Sequence, residues 1–163
     1  MKKPIALVTA AALFATPAVA ETVKLGVLLG FTGPIESLTP DMAAGAEMAM
    51  AEASKSGKFM GGSTIESVRG DSTCVDAAAA TATAERLITS DKVVAIMGAD
   101  CSGVTTAVLQ NVATAKGVVM VSPSATSPAL STIEDNGLFF RTSPSDARQG
   151  QVLAQILKDK GVT

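Results

Sequence analysis

The sequence predicts an α/β fold built on a parallel, doubly wound sheet. Short apolar runs of strand length alternate with helical patterns along the chain, an order that is typical of strand–helix–strand units. Such short apolar runs are typical of strands buried on both faces of a parallel sheet. Right-handed crossovers between parallel strands then place helices on both sides of the sheet.

An export signal precedes the first predicted strand. Lys2-Lys3 forms a positive region, Ile5 to Phe14 is apolar, and Ala18-Val19-Ala20 is a small-residue cleavage site. The apolar stretch is shorter than the roughly 20 residues that a membrane span needs. We therefore predict a cleavable signal peptide over residues 1–20, with cleavage after Ala20.

The remaining chain, residues 21–163, has the size of one domain. It contains five predicted strands, of which the second is the most polar and is expected nearer the sheet edge. The strands are Val23 to Leu29, Thr64 to Arg69, Val93 to Met97, Val118 to Val121 and Leu138 to Arg141.

The first predicted helix begins with Thr39 as N-cap, Pro40 at the first helical position and Asp41 in the first turn. It is expected to end near Ser56-Gly57. Its apolar face consists of Met42, Ala46, Ala49, Met50 and Ala53.

Three further helices follow, and we expect each helix to cover a strand face. The second runs from about Val75 to Thr89, with Ala79 and Ala82 small enough to let it lie close to the sheet. The third runs from Ser102, as N-cap, to about Ala115 and is stopped by Gly117. The last begins at Ser145 or Asp146, ends at Gly161 and carries Val152, Leu153, Ile156 and Leu157.

Composition excludes several classes of function. Without Lys2 and Lys3, the 13 basic residues fall to 11 against 15 acidic residues, so the net charge is −4. With no basic cluster and no Trp or Tyr, we expect no nucleic-acid partner. The chain has no histidine, which removes Ser-His-Asp and Cys-His catalysis and most zinc sites. We therefore expect a protein that is not an enzyme and that uses no metal and no cofactor.

The loops at the carboxyl ends of the strands are where such a fold places its ligand. We name them loop one (GFTGPIESLTP, 30–40), loop two (GDSTC, 70–74), loop three (GADCSG, 98–103) and loop four (SPSATSP, 122–128). Loop one contains Gly30-x-x-Gly33, which fits neither a dinucleotide fingerprint nor a P-loop. The only two cysteines, Cys74 and Cys101, lie in loops two and three. An even number of cysteines in an exported chain predicts a disulfide.

Loops three and four carry the candidate ligand contacts. Ser102 stands at a predicted helix N-cap, where it could bind an anion or merely cap its own helix. Loop four offers hydroxyl groups between Pro123 and Pro128, which suit an ammonium and carboxylate pair or form an ordinary turn. Those hydroxyl groups belong to Ser122, Ser124, Thr126 and Ser127.

Four segments resemble the first lobe of periplasmic leucine/isoleucine/valine-binding proteins, the type I solute-binding proteins of ABC importers. The segments are GVLLGFTGPIESLTPDMAAGAEMAMAE, DSTCVDAAAATATAERLI, GADCSGVTTAV and VSPSATSPALS…LFFRTSPSDARQG. The resemblance covers nearly all of residues 21–163, in order and with matching spacing. It implies a flavodoxin-like lobe with strand order 2-1-3-4-5, followed by a second lobe that is absent from this chain.

The resemblance also implies roles for individual residues. Cys74 and Cys101 would form a disulfide beside the pocket, arching over the end of the first strand. The hydroxyl and backbone N–H of Ser102 would bind a ligand carboxylate, and Ser124 and Thr126 would hold amino and carboxylate groups. Leu38 falls where some members place a Tyr against the ligand, and Ser124 stands where Ala is common.

The resemblance implies a periplasmic, monomeric capture protein for an ABC permease. Its ligand would be a branched-chain or related amino acid, or a small carboxylate or amide. The alternatives are an extracellular ligand-sensing domain of a receptor with the same fold, and a secreted hydrolase or other enzyme. The hydrolase is disfavoured because no loop holds an acid pair or a Ser-x-x-Lys motif.

Overall fold

The computed structural model describes residues 20–162, so the predicted signal peptide lies outside the described residues except for Ala20. Five strands form one sheet. They are β1 (Thr22–Leu29), β2 (Thr64–Asp71), β3 (Ala95–Gly98), β4 (Val119–Ser122) and β5 (Phe139–Arg141). The order is β2-β1-β3-β4-β5, and every neighbouring pair is parallel. The predicted α/β class, the strand order and the edge position of the polar second strand are confirmed.

The helices follow the strands as predicted. They are α1 (Thr39–Lys55), α2 (Ala77–Thr89), α3 (Ser102–Val108), α4 (Thr114–Lys116) and α5 (Asp146–Asp159). A π-helical turn over Leu109–Ala113 joins α3 to α4, and Gly117 ends the helix in the left-handed conformation. Over residues 20–162, no helix is both long and apolar enough to cross a membrane.

Two hydrophobic layers lie on opposite faces of the sheet, because successive side chains of a strand point to opposite sides. On one face, Leu28, Ile96 and Met120 pack with α2, α3 and the π-helical turn in the larger cluster. On the other face, Val27 and Leu29 pack against α1 in a smaller cluster. β1 therefore contributes to both hydrophobic layers.

The start of α1 differs from the prediction. The N-cap is Leu38, which offers no side-chain hydrogen bond, and Thr39 is the first helical residue. Thr39 is fully buried, and its hydroxyl donates to the carbonyl oxygens of Gly30 at 3.2 Å and Glu36 at 3.3 Å. This hydroxyl therefore ties the helix to loop one instead of capping the helix.

The buried face of α2 also differs from the prediction. Asp76 is the N-cap, accepting hydrogen bonds from the N–H groups of Ala78 and Ala79. The residues that pack on the sheet are Ala80, Ala84 and Leu87, and not Ala79 and Ala82. A helix with alanine on every side carries little periodic signal, so Leu87 was the better guide to the buried face.

The last helix overturns the expectation that every helix covers a strand. No residue of α5 is buried. The side chains of Val152, Leu153, Ile156 and Leu157 are between 40% and 53% exposed. The apolar face of α5 was predicted, but its side chains stay about half exposed and join neither hydrophobic cluster of the described residues.

Candidate functional site

The four loops meet at residues 99–102, which directly follow β3. The carboxylate of Asp100 contacts loops one and two, and its backbone carbonyl accepts from the Ser124 hydroxyl of loop four at 3.0 Å. The hydroxyl of Ser122 donates to the Ala99 carbonyl at 2.5 Å. The carboxyl end of the sheet is therefore one connected set of loops, as the parallel topology predicts.

Ser102 is the first residue of α3, and the N-cap is Cys101, so the prediction of Ser102 as N-cap is wrong. Instead of capping α3, the Ser102 hydroxyl oxygen accepts from the backbone N–H groups of Thr126 and Ser127, both at 3.1 Å. A hydroxyl has one proton to donate besides its acceptor sites. Ser102 therefore joins loops three and four and keeps that proton available to an acceptor.

Loop four is also held by hydrogen bonds to the start of the last helix. The hydroxyl of Thr126 donates to the carboxylate of Asp146 at 3.0 Å, and the Asp146 N–H donates to the Thr126 carbonyl at 2.9 Å. This pair connects the loop to the first turn of α5. Asp146 is exposed, and the sequence interpretation missed its contact with loop four.

The side chain of Arg141 also holds loop four in shape. Its guanidinium donates to the carbonyl oxygens of Ala125 at 3.3 Å and Ser127 at 2.8 Å, and to the Ser131 hydroxyl at 2.5 Å. A planar guanidinium with five donors can bind several acceptors at once. The sequence placed Arg141 at the end of a strand but gave no sign of these contacts, because two of its three partners are backbone carbonyl oxygens.

Loop one rests against loop two. The carboxylate of Asp71 accepts from the Thr32 hydroxyl at 2.6 Å and from the N–H of Thr73 at 2.8 Å. Partial burial raises the pKa of Asp71, but the hydrogen bonds from Thr32, Thr73 and Phe31 outweigh it, so the pKa lies below its usual value. Gly33 lies so close to loop two that a Cβ atom on it would be 2.5 Å from the Thr73 carbonyl oxygen.

Cys74 and Cys101 form a disulfide in the structure, with their Cα atoms 5.2 Å apart, within the ordinary range. The bridge joins loop two to loop three. Because β1 lies between β2 and β3, the bridge passes over the end of β1, as the strand order implies. It therefore braces loops two and three on either side of loop one.

The structure thus brings three of the four predicted ligand residues together. Ser102 contacts Thr126 directly, and Ser124 bonds to Asp100, two residues before Ser102. Leu38 lies before α1 with its side chain 56% exposed, and it stays a prediction. Between residues 20 and 162, no group of three or more His, Cys, Asp or Glu residues is placed to hold a metal ion.

The sequence is similar to known solute-binding proteins. The family described as "Periplasmic binding protein" matches residues 22–163. The chain is 29% identical over 147 residues to the Leu/Ile/Val-binding protein of Escherichia coli, covering 90% of this chain and 39% of that protein. It is 33% identical over 147 residues to the leucine-, isoleucine-, valine-, threonine- and alanine-binding protein of Pseudomonas aeruginosa. That match covers 88% of this chain and 38% of the other protein. A chemotactic signal transduction system substrate-binding protein of Halobacterium salinarum is 32% identical over 144 residues, a match that covers 85% of this chain and 34% of that protein.

Solved structures show the same fold with two classes of ligand. The branched-chain amino acid transporter substrate-binding protein of Streptococcus pneumoniae in complex with isoleucine has a TM-score of 0.67 at 31% identity, covering 77% of this chain and 34% of that chain. A solute-binding protein of an ABC transporter from R. palustris in complex with benzoate has a TM-score of 0.74 at 26% identity. The match covers 86% of this chain and 38% of that chain.

The chain spans about two fifths of the length of the curated relatives that it matches. Along this chain, the family match runs from the first residue of β1 to residue 163. Fold, strand order and sequence therefore agree, and the chain belongs to the periplasmic binding protein family.

Proposed function

We propose that this chain is the first lobe of a solute-binding protein that captures a small amino acid or carboxylate for an ABC permease. The observation that carries the proposal is the double hydrogen bond on Ser102. Two backbone N–H groups of loop four occupy the acceptor side of its hydroxyl, which directs its proton toward a further acceptor. A ligand carboxylate is such an acceptor, and the first amide groups of α3 have no partner within the helix.

The ligand class follows from the groups around Ser102. Ser124 and Thr126 add neutral polar groups, and Asp146 adds a carboxylate beside Thr126. A carboxylate on one side of a polar site suits the ammonium group of an amino acid, whereas hydroxyl and amide donors suit its carboxylate. We therefore propose branched-chain or related amino acids first, and simple carboxylates second.

The same proposal includes a second lobe, export to the periplasm after cleavage at Ala20, and a monomeric state. The uncovered face of α5 supports a second lobe, because apolar side chains at four positions would be buried by a further packed layer. The length of the curated relatives supports it as well.

A second candidate is ligand sensing for a signalling system. The observation that favours it is the similarity to a substrate-binding protein of a chemotactic system. The binding chemistry would be the same, and only the partner would differ. Co-purification of the complete gene product with its membrane partner would separate the two candidates, because a permease and a receptor are different proteins.

A thermal-shift screen of the complete gene product tests the binding role. Leucine, isoleucine, valine, benzoate and 4-hydroxybenzoate are the probes. A ligand at 100 times its Kd should stabilise the protein by about 2.7 kcal/mol. No shift with any amino acid or small carboxylate would contradict the proposal.

A further inference from the structure

Asp100 is a buried carboxylate at the centre of the four loops. Only 2% of its surface is exposed. One carboxylate oxygen accepts the Gly30 N–H of loop one at 2.6 Å. The other accepts the Ser72 hydroxyl of loop two at 3.0 Å and the N–H of its neighbour Cys101 at 2.9 Å.

All three partners donate, so the geometry fits an acceptor-only carboxylate. A buried carboxylate needs such hydrogen bonds, because the loss of water around it is costly. Hydrogen bonds to a charged acceptor are about twice as strong as neutral ones. The three bonds therefore hold Gly30, Ser72 and Cys101 at fixed positions around one side chain.

These three positions lie in three of the four loops of the candidate site. Gly30 begins loop one, Ser72 lies within loop two, and Cys101 precedes Ser102. The Ser72 N–H also donates to the Leu29 carbonyl at 2.8 Å, so loops one and two are already adjacent where the carboxylate joins them. No hydrogen bond or ion pair in the described part of the chain gives Asp100 a Lys or Arg partner.

We propose that Asp100 is a positioning residue that holds loops one and two against the start of α3, so that Ser102 is presented to the ligand. The link to ligand affinity rests on the proposed function, whereas the effect on loop order does not. The disulfide fixes only loops two and three, and the Asp71 carboxylate fixes only loops one and two. Asp100 joins all three.

The main test variant is Asp100→Asn, which keeps the size of the side chain. Its NH₂ group must face at least one of the three donors, so at least one bond is lost. Ser72→Ala removes a single donor and serves if Asp100→Asn does not fold. Asp135→Asn is the matched control, because Asp135 accepts one backbone N–H, that of Gly137, in a turn outside the four loops.

The first readouts need no ligand and use residues 21–163. In the wild-type chain, we expect the Gly30 amide proton at an unusually downfield chemical shift, and an upfield move in Asp100→Asn. Hydrogen exchange over residues 30–38 and 72–76 should become about tenfold faster, as for a lost bond of about 1.4 kcal/mol. Exchange in the buried part of α2 should stay unchanged, and Asp135→Asn should leave the rates over residues 30–38 and 72–76 unchanged.

The second readout is the Kd of the complete gene product for leucine, isoleucine and valine. We expect it to rise about tenfold in Asp100→Asn, and not in Asp135→Asn. An unmoved Gly30 resonance, unchanged loop exchange or an unchanged Kd would overturn the proposal. If the wild-type protein binds none of these probes, the proposed function fails, and the exchange and resonance measurements still decide the role of Asp100.

Discussion

Ser102 shows how one hydroxyl can serve both the fold and the ligand. In the complete gene product, we expect Ser102→Ala to weaken ligand binding by about 1.5–3 kcal/mol, the range for a hydrogen bond to a charged group. The variant also leaves two loop-four N–H groups without their acceptor, so its unfolding free energy should fall by about 1–3 kcal/mol. Calorimetric titration and chemical denaturation measure the two effects.

The control for this variant is Ser90→Ala, at the end of α2 and away from the loops. It should change neither quantity by more than about 0.5 kcal/mol, as for an ordinary surface substitution. An affinity in Ser102→Ala equal to that of the control would leave Ser102 with a purely structural role.

Gly33 is a residue whose lack of a side chain is required by a neighbouring loop. Its φ is +97°, and an added Cβ would meet the Thr73 carbonyl oxygen. We expect Gly33→Ala to destabilise the protein by more than about 1 kcal/mol, measured by denaturant unfolding. Gly45→Ala is the contrasting control: Gly45 lies within α1 with open space around it, so it should stabilise the protein by about 0.5–1 kcal/mol. Equal effects of the two variants would refute the argument.

At the scale of elements, the disulfide joins two loops across β1. We expect Cys74 and Cys101 of the exported protein to resist alkylation until they are reduced, as intact mass would show. Reduction should lower the unfolding free energy by roughly 3–4 kcal/mol in the chain-entropy treatment. Two alkylated cysteines without prior reduction would rule the bridge out.

Helix α5 allows a comparison between an uncovered face and a buried one. In the chain of residues 21–163, Ile156→Ser should change the unfolding free energy by less than about 0.5 kcal/mol, since Ile156 is 45% exposed. Leu87→Ala, on the buried face of α2, should cost about 2–5 kcal/mol.

In the complete gene product, Ile156→Ser should become destabilising, because the proposed second lobe would bury this face. If it stays neutral there, α5 does not pack on a second lobe.

The presence and order of the helices and strands were largely predictable, whereas the buried faces and first residues of some helices were not. Strand order, strand number and the stop at Gly117 followed from the pattern and the resemblance. The buried face of α2 did not, since its alanines offer no contrast between faces. The N-caps of α1 and α3 did not either. The Thr39 hydroxyl bonds back to loop one, and the Ser102 hydroxyl bonds to loop four, so neither is free to cap its own helix.

At the scale of the whole molecule, the proposed second lobe predicts weak ligand binding by this chain alone. We expect residues 21–163 alone, oxidised, to bind leucine, isoleucine, valine and simple aromatic acids with millimolar affinity or not at all. One lobe leaves the ligand half in water, and closure normally buries most of a small ligand and strengthens each polar contact. Titration calorimetry decides the matter, and micromolar affinity for any of these probes would contradict the single-lobe argument.

The candidate site was predictable in part. The loop positions pointed to Ser102, Ser124 and Thr126, and the resemblance supplied their expected roles, whereas Asp100, Arg141 and Asp146 were missed. The missed residues act on backbone atoms or on side chains ten or more residues away, such as Ser131 for Arg141 and Thr126 for Asp146. Such pairings become visible only when the sheet has set the loops side by side.

The sheet is covered unequally on its two faces, and this affects how the chain of residues 21–163 can be assayed. On the face that α1 packs against, a groove of about 130 Å³ stays open, lined by side chains that include Leu25, Met97 and Val121. Together with α5, this gives the folded chain apolar surface of the kind that environment-sensitive dyes bind. Dye-monitored melting of residues 21–163 would start from a bright baseline that imitates partial unfolding. Label-free calorimetry or near-ultraviolet dichroism of its phenylalanines and disulfide is therefore the sounder reporter of its native state.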